Sequence, residues 1–229
     1  MKKFELTAES KINIFGKKLF RIKALISFGD VEEGETGGWI EKEENLEQSS
    51  GNAWVYGNAE VYGNAWVYGN AEVYGNARVY GNAWVSGNAW VYGNAEVYGN
   101  ARVYGNAWVS GNARVSGDAR VSGDAEVSGN AWVYGNVEVY GNARVSGNAE
   151  VSGNADYTTI HGFGTQFRTT TFFQCEDKQI RVSCGCFLGT IPEFREQVKN
   201  TREGKIAEEY LMIADLMEKH FVKEKESGE

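Results

Sequence analysis

From Gly51 to Asp156 the chain repeats a six-residue unit, Gly-Asn-Ala-x-Val-Tyr/Ser, almost without interruption, and valine falls at every sixth position from Val55 to Val151, seventeen in all. A short fixed period of this kind marks a solenoid, in which each unit buries its apolar side only against its neighbours. Ala and Val stand two residues apart in the unit, so in an extended strand both point to one side, while x and Tyr/Ser point to the other. The Gly-Asn pair falls where the strand must turn. Glycine has no steric cost at positive φ, and asparagine tolerates the left-handed region better than other residues with a side chain. Three strand-and-corner units close a triangular coil of eighteen residues, and stacking such coils at about 4.8 Å gives every strand partners above and below. Seventeen units make nearly six coils.

In the frame Val55-Tyr56-Gly57-Asn58-Ala59-Glu60 the repeat resembles the hexapeptide-repeat left-handed parallel β-helix superfamily, and within it the YdcK-like group of bacterial and phage proteins. The resemblance implies an all-β fold, a single-stranded left-handed parallel β-helix, and a phage or prophage origin is one implication of the group. The superfamily also includes acyltransferases, which place a histidine between subunits of a trimer, and carbonic anhydrases, which hold zinc with three histidines. This chain has two histidines, His161 and His220, both outside the regular coils. A three-histidine zinc site within one chain is thereby excluded, and an acyltransferase would need one of these histidines to face a groove between subunits.

The flanks read as caps. Residues 12–25 alternate apolar and polar positions around Gly16 and predict a β-hairpin that lids the first coil. In the acidic, glycine-rich stretch that follows, Trp39, Ile40 and Leu46 predict an irregular first coil, so residues 1–50 form an N-terminal cap ahead of the solenoid at 51–156. Beyond it, residues 169–175 and 179–187 predict a second hairpin within 157–189, and Gly162-Phe163-Gly164 reads as a cap turn. Thr190-Ile191-Pro192-Glu193 is a capping box with proline in the first turn, opening a helix to Asn200. Ile206, Tyr210, Ile213, Met217 and Phe221 mark a longer amphipathic helix, giving a two-helix cap over 190–229. Covered ends predict a monomer or small homo-oligomer and no filament.

The net charge of −8 is spread without a basic stripe, which argues against double-stranded nucleic acid as a ligand. Met1-Lys2-Lys3 runs into Phe4-Glu5-Leu6 with no apolar segment for secretion or membrane insertion, and three cysteines in one short stretch suit a reducing compartment. A cytoplasmic address follows as an expectation. Cys175, Cys184 and Cys186 are the candidate metal ligands, though the spacing is not that of paired Cys-x-x-Cys. In the expected hairpin they share a face with Phe173, Ile180 and Val182, where free cysteine packs as a small hydrophobe. No cofactor is implied.

Information therefore lies in the outward columns. Taking every eighteenth residue, one column runs Trp54, Glu72, Trp90, Trp108, Glu126, Arg144 beside Tyr56, Tyr74, Tyr92, Ser110, Ser128, Ser146. A second runs Glu60, Arg78, Glu96, Arg114, Trp132, Glu150, where opposite charges alternate at strand spacing. The third runs Trp66, Trp84, Arg102, Arg120, Glu138, Asp156 beside Tyr68, Ser86, Tyr104, Ser122, Tyr140. Aromatic side chains anchor protein interfaces and stack on sugars, so Trp54, Tyr56, Tyr74, Trp90, Tyr92 and Trp108 form the candidate binding surface. The same residues also have high strand propensity and cover neighbouring strands, which is a purely stabilising reading. The expected function is a non-catalytic, rigid protein-binding or scaffolding module, with an unidentified protein partner; glycan or small-molecule binding on the aromatic face and a trimeric acyltransferase are the alternatives.

Overall fold

Each hexad contributes a two-residue strand made of x and valine, from β4 (Trp54–Val55) to β20 (Glu150–Val151). The computed structural model describes residues 2–221, and each of these strands up to β17 pairs in parallel with the strand eighteen residues on, as Glu96 with Arg114 and Val97 with Val115. The result is a parallel β-solenoid with three flat faces. Face one begins with β5 (Glu60–Val61), face two with β4, and face three with β6 (Trp66–Val67).

All seventeen repeat valines are fully buried, as are the repeat alanines from Ala53 to Ala149 apart from traces of exposure at Ala65 and Ala149, while Ala155 at the end of the repeat is exposed. Burying a valine is worth about 1.5–3 kcal/mol, and here the same contact is repeated at every rung. The corners are as uniform as the core. Gly87 sits at φ +67°, and a Cβ there would lie 2.9 Å from both N and O of Gly105 in the next coil. That approach lets the Asn88 N–H donate to the Gly105 carbonyl at 2.7 Å. The asparagine side chains form ladders down the corners: Asn70 donates to Asn88, Asn88 to Asn106, and Asn106 to Asp124, at 3.1, 3.0 and 2.8 Å. Asp118 and Asp124 fit because each is asked only to accept.

The N-terminal hairpin is present but lies further upstream than its alternation suggests. Its arms are β1 (Phe4–Ile12) and β2 (Lys18–Ala24), and the stretch after Ile12 is the turn. The Asn13 side chain accepts from the N–H groups of Phe15 and Lys17, both at 3.0 Å, and Gly16 takes φ +75°. This local turn chemistry outweighs the apolar alternation of Ile12 and Ile14, which are left exposed. β3 (Thr36–Ile40) then pairs antiparallel with β2 and parallel with β5, placing Ile40 beside Val61, while Leu46 bridges to Val67. The expected irregular first coil is therefore in place. Gly37 and Gly38 permit it, because a Cβ on either would come within 2.6 Å of Ile22, Trp54 or Val55.

At the other end the expected hairpin is present as the inner pair of a four-stranded antiparallel sheet: β21 (Tyr157–Phe163), β22 (Arg168–Gln174), β23 (Ile180–Cys184) and β24 (Phe187–Thr190). The strand expected over 179–187 is cut at Cys184 because Gly185, at φ +61°, turns the chain back so that Cys184 pairs with Phe187. One side of this sheet offers Phe173 and Cys175 to the solenoid core, and the other offers Phe172 and Val182 to the helices. α1 (Ile191–Thr201) starts on the reciprocal Thr190/Glu193 capping box, as its sequence requires. α2 (Gly204–His220) packs Tyr210, Ile213, Ala214 and Met217 inward. The part of the expected helical cap at 222–229 lies outside the described residues. No helix among the described residues is long and apolar enough to cross a membrane.

Candidate functional site

Face two carries the candidate aromatic surface, and the structure divides it in two. Trp54 is fully buried, held edge-on by Phe4 at 6.1 Å and Phe28 at 5.4 Å between ring centroids. Its expected exposure is wrong, because the N-terminal cap folds over the first rung of this face. Tyr56 belongs to the same plug, half-buried against the core, and burial together with the nearby Glu72 carboxylate pushes its phenol up to about 12. Trp54 is closed to a partner, whereas Tyr56 is only partly buried at the edge of the plug.

The remaining four residues are brought together as expected. Trp90 and Trp108 stack at 5.1 Å with their planes 10° apart, and Tyr74 stacks on Tyr92 at 5.0 Å and 4°. Tyr74 also meets Trp90 edge-on at 6.4 Å, joining the two ladders into one strip. Trp108 is 42% exposed and forms the open end of the strip, where the tyrosine column gives way to the buried Ser110. Burial and the neighbouring Tyr92 raise the Tyr74 phenol above its ordinary value. Above the strip, the Glu72 carboxyl is also raised, chiefly by burial and then by Asp30. Below it, Glu126 and Arg144 pair at 3.6 Å. The strip is thus an aromatic centre between polar ends, held on a backbone whose every rung is hydrogen-bonded to the next.

On face one the alternating charges pair only in part. Arg78 binds Glu96, which also accepts from the Tyr80 hydroxyl at 2.9 Å, while Glu60 is taken by Lys11 of the cap at 2.8 Å. Exposed aromatics also occur where the strip does not reach, at Trp84 and Tyr104 on face three and at Trp132 on face one. The eighteen-residue columns contain these residues, but which of them stay open depends on the caps and on rotamers.

The three thiols do not converge. Phe172, not Phe173, pairs with Val182, so Phe173 and Cys175 face the solenoid while Val182 and Cys184 face the helices. The expectation of a single shared face fails by one residue of register, which in a strand reverses every side chain. Burial pushes the Cys175 thiol up to about 11, and Cys184 lies 3.1 Å from the Thr170 hydroxyl, leaving Cys186 exposed. All three are free, and among the described residues no three His, Cys, Asp or Glu side chains are grouped to hold a metal ion. His161 and His220 are both exposed on the C-terminal cap.

Comparison with known families returns the YdcK Beta solenoid repeat, matched at residues 53–69, 71–87, 95–111, 107–123, 113–129 and 139–153. The repeat region belongs to that family. The YdcK matches here end at positions separated by multiples of six, not always of eighteen, so the hexad is the unit of likeness. No curated protein matches the chain.

Proposed function

We propose that this chain is a non-catalytic, rigid binding rod that engages a protein partner through the face-two strip of Tyr74, Trp90, Tyr92 and Trp108. The observation that carries the reading is the paired ladders at 5.0 and 5.1 Å, partly open to solvent on a backbone that cannot bend without breaking rungs. Large aromatics fixed in advance lose little side-chain entropy on binding, and an aromatic centre bounded by charged groups is the usual make-up of a protein interface. Three free thiols support a reducing, cytoplasmic setting. If the chain is phage-encoded, the partner is a host protein.

The test is affinity capture followed by cross-linking with the partner obtained, comparing the wild-type chain with Trp90→Ala/Trp108→Ala. Removing a central tryptophan from an interface costs about 2 kcal/mol or more, so affinity is expected to fall roughly 30-fold or further. Equal binding by the double variant rejects the strip. Saturable binding to glycans that the double variant loses would replace the protein partner by a sugar.

A further inference from the structure

On face three the outward column after each valine alternates: Tyr68, Ser86, Tyr104, Ser122, Tyr140. The other faces have consecutive tyrosines, and those of Tyr62, Tyr80 and Tyr98 stack with centroids 5.0 Å apart. Face-three tyrosines accordingly stand two rungs, about 10 Å, apart. They are the teeth of a comb whose gaps have serine floors. The gap over the buried Ser86 is a cavity of about 280 Å³ lined by Tyr68, Trp84, Ser86, Arg102, Tyr104 and Arg120. A ring seated midway would lie about 5 Å from each tooth, the spacing the protein's own tyrosine ladders use.

The adjacent column on the same strands reads Trp66, Trp84, Arg102, Arg120, Glu138 in register. Arg120 bonds Glu138 at 2.7 Å, whereas Arg102 lies over the Trp84 ring at 4.8 Å and has no carboxylate partner among the described residues. The upper half of the column is aromatic and the part below it cationic.

The geometry points to an antiparallel homodimer in which two copies of face three interlock, the Tyr104 ring of one copy over Ser86 of the other and Tyr68 over Ser122. A two-fold axis running along the strands reverses the rod and keeps each column opposite itself, so every pairing is reciprocal, as an isologous interface requires. In this register Arg102 meets Trp84 of the second copy and Arg120 meets Trp66, placing cations on aromatic faces. Sliding by two rungs also seats teeth in gaps but sets Arg102 against Arg120 of the second copy, which like-charge repulsion disfavours. Shape and charge select the same alignment. The interlocking surface spans four rungs, roughly 20 Å, which makes a small interface with affinity on the order of micromolar. It leaves face two free, so this pairing and the binding strip stand or fall separately.

Sedimentation equilibrium of the full chain over a wide concentration range is expected to show a reversible dimer. Ser86→Tyr/Ser122→Tyr fills both gaps with rings of the kind that faces one and two already stack, so it keeps the fold, and its dimer dissociation constant is expected to rise at least tenfold. In a Cys186→Ser background, a bis-maleimide with a reach of about 10 Å, the separation of facing sheets, is expected to cross-link a Tyr104→Cys chain mixed with a Ser86→Cys chain, and not the mixture with a Ser122→Cys chain. A wild-type monomer throughout, a dimer that the filled gaps leave unchanged, or preferential cross-linking at position 122 overturns the proposal.

Discussion

Trp54→Ala is the sharpest test of how the caps and the aromatic columns divide the work. Trp54 is the largest fully buried side chain, wedged between Phe4, Phe28 and Gly37. An aromatic of this size buries about 150–250 Å², worth roughly 4–6 kcal/mol at 25 cal/mol per Å², and truncations of buried Phe or Trp to Ala cost about 3–5 kcal/mol. The indole Nε1 works against this total, because it is buried without a hydrogen-bond partner. Trp54→Phe should therefore cost well under half as much as the alanine change, since it sheds an unpaired donor along with part of the packing. Trp108, chemically the same residue on the same face, is 42% exposed, and its alanine variant loses a ring stack worth about 0.5–1.5 kcal/mol plus part of its area. Chemical denaturation of the three variants against wild type gives the ranking. A solenoid also opens locally, so hydrogen exchange should show the Trp54→Ala loss concentrated in the coils nearest the N-terminal cap. A Trp54→Ala penalty below about 1 kcal/mol, or below that of Trp108→Ala, would refute the assignment of Trp54 to the plug.

Gly87→Ala is expected to destabilise by about 2 kcal/mol or more, combining the left-handed φ with a 2.9 Å approach to Gly105, and thermal unfolding measures it. Stability should rise modestly between pH 8 and 9. Buried Lys3 has its amine lowered from 10.5 to about 8, chiefly by burial, so the cost of its charge is present below pH 8 and relieved as pH climbs toward 10.5. Above pH 9 to 10 the trend reverses. Cys175, raised from 9.0 to about 11, and Tyr56 and Tyr157, raised from 10.0 to about 12, each contribute stability that disappears as pH rises through those values. Denaturation midpoints measured across this range check both limbs, and Lys3→Met should remove the first. A thiol reagent added to the native chain should modify Cys186 first and reach Cys175 only on unfolding; equal rates for the two would contradict the placement of Cys175 in the core.

Much of the candidate site could be read from the outward columns, because an eighteen-residue period is enough to fix which side chains are neighbours. The pairing of Trp90 with Trp108 and of Tyr74 with Tyr92 follows from that spacing alone. The loss of Trp54 to the cap could not be read in this way. It depends on Phe4 and Phe28, residues some fifty and twenty-six positions away with no periodic relation to the repeat.

The hexad by itself determined the coil length, the buried Val and Ala rows, the glycine corners and the asparagine ladders, since a strict period makes every contact a contact between equivalent positions. The capping box at Thr190 was equally local. Only the tertiary structure decided the ends. There the alternation around Ile12 yielded to the Asn13 turn, and Gly185 divided one expected strand into two. One residue of register likewise sent Cys175 and Cys184 to opposite sides of a sheet. Inside the repeat each neighbour is a copy of the residue it meets, and local sequence carries the whole answer. At the caps the partners are unlike and distant, so packing selects among conformations that local sequence leaves nearly equal.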